Sequence, residues 1–181
     1  MKCVLFLVLS GVLVFFSWAS LSRPRFHGFY RLFAWEFMLG LFLLNVFYWF
    51  KNPLAPHQLL SWALLFLSAG VVLCGFLQLR RMGKADPRRD DGPLVSFEKT
   101  TVLVASGIYR YIRHPMYCSL LLLTWGIFFK RISSAGLVLA AAATFFLFLT
   151  VLREEEENVR YFGEPYREYM KRTKRFIPFL L

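Results

Sequence analysis

Four glutamates stand in a row at 154–157, on a chain that carries twice as many bases as acids. Acids sit poorly near the C-terminal end of a helix, so a compensating cation is expected. In the plain case Arg153 and Arg160 supply it; in the sharper case the acids hold a bound cation. Consecutive helical residues point about 100° apart, so one or two of the four are expected to face inward, with Glu154 first, Glu155 second and Glu157 turned away. A second cluster runs Gly107-Ile108-Tyr109-Arg110-Tyr111-Ile112-Arg113-His114-Pro115-Met116-Tyr117. Pro115 suits the first position of a helix, and the next turn then offers unused backbone N–H groups at the positive end of a dipole. With Arg113 beside it, this is a carboxylate or phosphate site. The plainer alternative is a basic turn that anchors a short helix to lipid headgroups.

Both clusters fall at the ends of apolar runs. Residues 3–22 hold no charge, 32–50 hold only Glu36, and 57–79, 115–129 and 132–152 are apolar throughout apart from edge polar groups. A hydrocarbon core of about 30 Å needs about 20 helical residues. The pattern predicts an all-α, polytopic bundle of about five spans within a single membrane domain. Three N-terminal spans fill 1–79, and the part bearing both clusters fills 80–181. The first run is read as a span rather than a signal peptide because further spans follow it. The fourth, of 15 residues, is short, and Lys130 and Arg131 are expected to snorkel outward from it. Turn signals at Ala85-Asp86-Pro87 and Asp91-Gly92-Pro93 punctuate the long polar connection. Gly163 and Pro165 mark a stop and restart. Beyond them Tyr166, Tyr169 and Met170 recur at helical spacing beside bases, as in a helix lying on headgroups.

Composition narrows the class. Hydrophobic residues make up 57% of 181, too many for a soluble domain of this size to hide, yet the formal net charge is +11. With five crossings, 18 of the 22 Lys+Arg fall on one side, which places the long connection and the C-terminal tail in the cytoplasm. Charges confined to loops between spans argue against nucleic acid as a partner. Cys3, Cys74 and Cys118 lie far apart without a CxxC pair, and His27, His57 and His114 are equally scattered, so neither a disulfide framework nor a metal site is expected. Cys118 reads as a buried thiol. His27 and His57 read as interfacial residues at span edges, and Glu36 as the partner of Arg31.

The run Leu103-Val104-Ala105-Ser106-Gly107-Ile108-Tyr109, then Arg113-His114-Pro115-Met116-Tyr117, then Glu154-Glu155, Phe162-Gly163, Tyr166, Tyr169 and Arg175-Phe176-Ile177-Pro178 resembles the signature of the isoprenylcysteine carboxyl methyltransferase and phospholipid methyltransferase superfamily, in order and spacing. The resemblance spans about 97–178 and implies an integral membrane methyltransferase acting on a lipid or lipophilic small molecule. It implies S-adenosylmethionine as cofactor, in a cytoplasmic pocket under the C-terminal helices. By position, Thr101, Val102, Leu103, Val104 and Tyr109 would line its adenosine part. His114, Pro115, Met116 and Tyr117 would hold the methionine part, and Glu154, or Glu155, would meet the amino group or sulfonium. Arg113, His114, Tyr117 and Glu154 are the candidate catalytic residues, with His114 and Tyr117 the candidate bases. Prenylcysteine-specific members carry an Arg one turn before the glutamate pair; here that position is Thr150, which argues against a prenylcysteine carboxylate as acceptor. Two other functions stay open at this point: an NADPH-dependent enzyme like the sterol reductases, and a non-catalytic membrane scaffold.

Overall fold

The computed structural model describes residues 2–84 and 100–177. The turn signals of the long connection, the start of the signature near residue 97 and Pro178 lie outside them. The described residues are helical apart from turns and an isolated parallel bridge between Ile112 and Lys174. In chain order the helices are α1 (Lys2–Phe16), α2 (Trp18–Leu21), α3 (His27–Asn45), α4 (Pro56–Met82), α5 (Pro115–Phe128), α6 (Ser134–Phe162) and α7 (Glu164–Arg172).

Among the described residues, three stretches are long and apolar enough to cross a membrane: α3 with its following turn (His27–Tyr48), α4 and α6. The other two apolar runs make shorter helices. The first breaks at Ser17, so α1 has 15 residues, and α5 has 14; at 1.5 Å per residue both reach only about 21–22 Å. α4 keeps its outer face apolar where no protein covers it, with Phe66 72% exposed, as expected against lipid.

α3 packs along α6, and α4 along α5, with α5 also touching α6 and α3. Small side chains permit the close approach of α3 and α6: Ala34, Ala140 and Ala143 are fully buried there. Polar side chains tie helix to backbone carbonyl inside the bundle. Ser61 Oγ donates to Gly126 O at 2.6 Å, Ser68 Oγ to Ser119 O at 2.7 Å, and Asn45 Nδ2 to Ile127 O at 2.9 Å. In hydrocarbon such groups need internal partners, and the bonds fix the register of α5 against its neighbours.

Lys130 does not snorkel. It is 1% exposed, with Nζ 3.4 Å from the centroid of the Trp62 ring and 5.3 Å from that of Trp49, and it donates to Gln58 Oε1 at 3.2 Å. The aromatic faces and one amide oxygen replace water around the ammonium, so the end of α5 is pinned inward. Arg131 stays outside, over the Tyr48 ring. Glu36 also differs from expectation: it accepts from Ser10 Oγ at 2.9 Å, joining α3 to α1, while Arg31 lies over the Trp35 ring.

Candidate functional site

α6 has 29 residues, about 44 Å of helix, so its last turns extend past a 30 Å core. The four glutamates occupy those turns. Gly163 then adopts φ +66°, a left-handed conformation that ends α6 and lets Glu164-Pro165 start α7 on a new course. α7 does not lie on headgroups by its aromatic face. Tyr166 and Tyr169 are buried and turn inward, and Tyr169 Oη donates to Tyr109 O at 2.7 Å. The reason is that the chain after α7 returns to the bundle. Arg113 N donates to Lys174 O at 2.7 Å, His114 N to Arg175 O at 3.1 Å, and Lys174 N to Tyr111 O at 3.1 Å. The tail is thereby laced alongside the segment that leads into α5.

Side chains lock this fold-back. Glu155, 4% exposed, accepts from Arg113 Nε at 2.9 Å and from Arg175 Nε at 3.0 Å. Arg113 Nη1 also donates to the carbonyls of Met170 and Thr173. Two guanidinium partners compensate the charge of the buried carboxylate. Arg113 is thus committed to holding the tail although its side chain also reaches the cavity. On the other flank Gly107, at φ +57°, sits so close to Gln78 of α4 that a Cβ there would lie 2.4 Å from Oε1. Only glycine lets the motif segment press onto α4.

Between these elements lies a partly open cavity of about 260 Å³. From the signature segments come Val102, Leu103, Val104 and Tyr109, then Arg113, His114, Pro115, Met116 and Tyr117, and Glu154 of α6. Thr101 and Glu155 do not line it. Thr101 is exposed and donates to Lys84 O at 2.8 Å, and its neighbour Thr100 faces the cavity instead. Glu155 serves the arginines. The acid run thus divides differently from expectation. Glu154 and Glu157, three residues apart, share the cavity face; Glu155 is buried under the tail; Glu156 alone is solvated, with Arg153 at 2.9 Å and Arg160 at 3.8 Å. Glu157 faces inward because α3 and α7 form walls on that side that helical spacing alone does not reveal.

His114 is 4% exposed and stands between two carboxylates, with Nδ1 3.6 Å from Glu154 Oε1 and Nε2 3.5 Å from Glu155 Oε1. Burial by itself lowers its proton affinity, but Glu154 and Glu155 more than offset that, and its pKa is raised above the ordinary value. Nε2 is buried with no hydrogen-bond partner among the described residues. Met116, at the second position of α5, carries a backbone N–H that the helix does not use. Burial, together with Glu154 and Glu155, pushes the Tyr166 phenol up, so it stays a donor.

Sequence reasoning passed over the α3 wall. His27, Arg31 and Trp35 line the cavity, and so do Asn158 and Phe162 of α6. His27 is not interfacial: it is 1% exposed, with Nδ1 2.6 Å from Glu157 Oε2 and its backbone N–H donating to Glu157 Oε1 at 2.7 Å. The i, i+4 spacing of His27 and Arg31 at the start of an apolar helix was the available signal. Arg31 also brings a guanidinium to the cavity where Thr150, fully buried and bonded to Phe146 O, offers none.

The arrangement suits a charged, zwitterionic ligand with an aromatic part. Glu154 offers a carboxylate for an ammonium, the start of α5 and Arg31 offer donors and charge for a carboxylate, and Tyr109, Phe162 and Tyr166 offer ring faces. Val72, Leu79 and Leu120 make the remaining wall apolar.

Comparison with known proteins identifies the chain's relatives. Residues 56–164 match the model of a family described as phospholipid methyltransferase. A methanethiol S-methyltransferase of Bradyrhizobium diazoefficiens is 29% identical over 175 residues, covering 87% of this chain and 56% of the relative. One of Pseudomonas deceptionensis is 26% identical over 170 residues, covering 93% of this chain and 55% of the relative. One of Crocosphaera subtropica is 32% identical over 72 residues, covering 40% and 28%. The chain spans about half the length of the first two.

Proposed function

We propose that this chain, which belongs to the phospholipid methyltransferase family, is an S-adenosylmethionine-dependent methyltransferase that acts on a lipophilic acceptor, with a small thiol as the leading class. The observation that carries this reading is the Glu154–His114 pair beside the first turn of α5, in a cavity that also presents aromatic and apolar walls. Glu154 would meet the cofactor's ammonium, the Met116 N–H and the buried His114 Nε2 would meet its carboxylate, and the rings of Tyr109 and Phe162 would flank its adenine. When bound, the cofactor supplies an electrophilic methyl group on a sulfonium. The chain's own task is alignment, since holding two reactants in line lowers a barrier by ~7–11 kcal/mol. Trp35, Val72 and Leu120 would give an acceptor an apolar berth. The thiol is favoured because the relatives are named for one and because Thr150 stands where prenylcysteine-specific members carry an Arg.

The test is binding and turnover in detergent. S-adenosylhomocysteine at 100 times its dissociation constant should stabilise the protein by ~2.7 kcal/mol, and NADPH should not. Labelled methyl from S-adenosylmethionine should pass to short alkanethiols in preference to phospholipid amines. Stabilisation by NADPH alone would favour a reductase, and no stabilisation by either a scaffold. We place the cavity on the cytoplasmic side from the charge bias. Cysteines introduced at Arg167 and at Arg131 should be labelled from opposite sides, Arg167 from the cytoplasm.

A further inference from the structure

We infer that His27 takes the proton from the methyl acceptor and that Glu157 is its positioning residue. This rests on the methyltransferase reading and adds to it a base from outside the matched residues 56–164.

His27 opens α3 and lines the cavity while being 1% exposed. Glu157 grips it twice, at the backbone N–H (2.7 Å) and at Nδ1 (2.6 Å). Capping α3 needs only the first bond; the second fixes the ring. With Nδ1–H donated to a carboxylate, the neutral imidazole carries its lone pair on Nε2, and the same carboxylate stabilises the imidazolium once Nε2 is protonated. A thiol is a poor nucleophile until it ionises, so an alkanethiol acceptor needs such a group. His114 is poorly placed for this task because each of its two ring nitrogens already lies beside a carboxylate, Nδ1 3.6 Å from Glu154 and Nε2 3.5 Å from Glu155. The charged groups around His27 are Glu157 and Glu154 of α6 and, on its own helix, Arg31. The acceptor's S–H proton passes to His27 Nε2, and the acceptor sulfur forms its bond to the methyl carbon. The electron pair of the broken carbon–sulfur bond stays on the departing sulfide, and His27 then releases the proton to water.

Four variants and two acceptors test this: His27→Gln, His27→Gly, Glu157→Gln and Glu156→Gln, each with an alkanethiol and with an acidic nitroarenethiol already ionised at the assay pH. His27→Gln should lower alkanethiol turnover by roughly 10²–10⁴-fold, the range for a general base, and leave arenethiol turnover nearly unchanged. Added imidazole should partly rescue His27→Gly, and Glu156→Gln should behave as wild type. Calorimetry should give an unchanged affinity for S-adenosylhomocysteine. In the unliganded protein, 15N-histidine NMR should show the Nδ1–H tautomer of His27 in the wild type giving way to a mixture in Glu157→Gln. Equal losses on both acceptors would make His27 structural, and an unchanged tautomer in Glu157→Gln would reduce Glu157 to a helix cap. Either result overturns the inference while the wild-type activity stands. If the wild type binds no S-adenosylhomocysteine and methylates neither thiol, the methyltransferase reading fails and takes the inference with it.

Discussion

Arg113 Nη2 and Glu155 Oε1 meet at 2.7 Å with both side chains over nine-tenths buried, and the contact joins the segment before α5 to the end of α6. Removing one partner leaves an uncompensated buried charge, which costs ~3–5 kcal/mol. Glu155→Gln should therefore lower thermal stability and release the tail, seen as faster proteolysis after Arg172. Glu156→Gln, solvated, should do neither. Full stability and an intact tail in Glu155→Gln would show that the pair does not hold the fold-back.

Glu154→Gln keeps shape and removes charge. The expected loss of S-adenosylhomocysteine affinity is ~1.5–3 kcal/mol, the worth of a charged hydrogen bond, measured by calorimetry. An unchanged affinity would move the ammonium partner elsewhere in the cavity.

His114 gives a pH signature whose sign is fixed by its raised pKa. A group that binds its proton more tightly when folded stabilises fully below its unfolded value, ~6.5 for histidine. The contribution then fades as pH rises through the elevated folded value. The melting-temperature gap between wild type and His114→Gln should therefore be widest in mildly acidic buffer and close toward alkaline pH. A gap that widens with pH would contradict the two-carboxylate cradle.

Lys130→Ala empties the aromatic cage and strips Gln58 Oε1 of its donor. Leaving a buried acceptor unsatisfied costs ~1–3 kcal/mol, so thermal stability should fall by that order. Cofactor affinity should hold, because the cage lies where α5 ends and the cavity where α5 begins. Loss of both together would mean that α5 transmits the disturbance along its length.

The sequence exposed those parts of the site that short segments carry by themselves. Pro115 announces a helix start, so the Met116 N–H and the neighbouring His114 could be named before any packing was known. Glu154 stood out because an acid run is conspicuous on a basic chain. What stayed hidden depends on which helix comes to lie beside which. Helical spacing left Glu157 turned away, because it could not show that α3 would bring His27 to it. The fold divides the same way. Apolar run length identified α4 and α6 directly. It overestimated the first helix, which breaks at Ser17, and it missed Lys130, whose cage draws one ring from each of two separate elements.

The lacing of Lys174 and Arg175 onto Tyr111, Arg113 and His114 also bears on biosynthesis. The cavity wall cannot be finished while residues 173–176 are still inside the ribosome, however completely the long spans have been inserted. A chain truncated after Phe162 would present Glu154 and Glu157 without the rings of Tyr166 and Tyr169 over them. It would also leave Glu155 without Arg175. Competence to bind a ligand would then mark a chain translated through its tail, and a ligand-binding probe could separate such chains from membrane-inserted but unfinished ones.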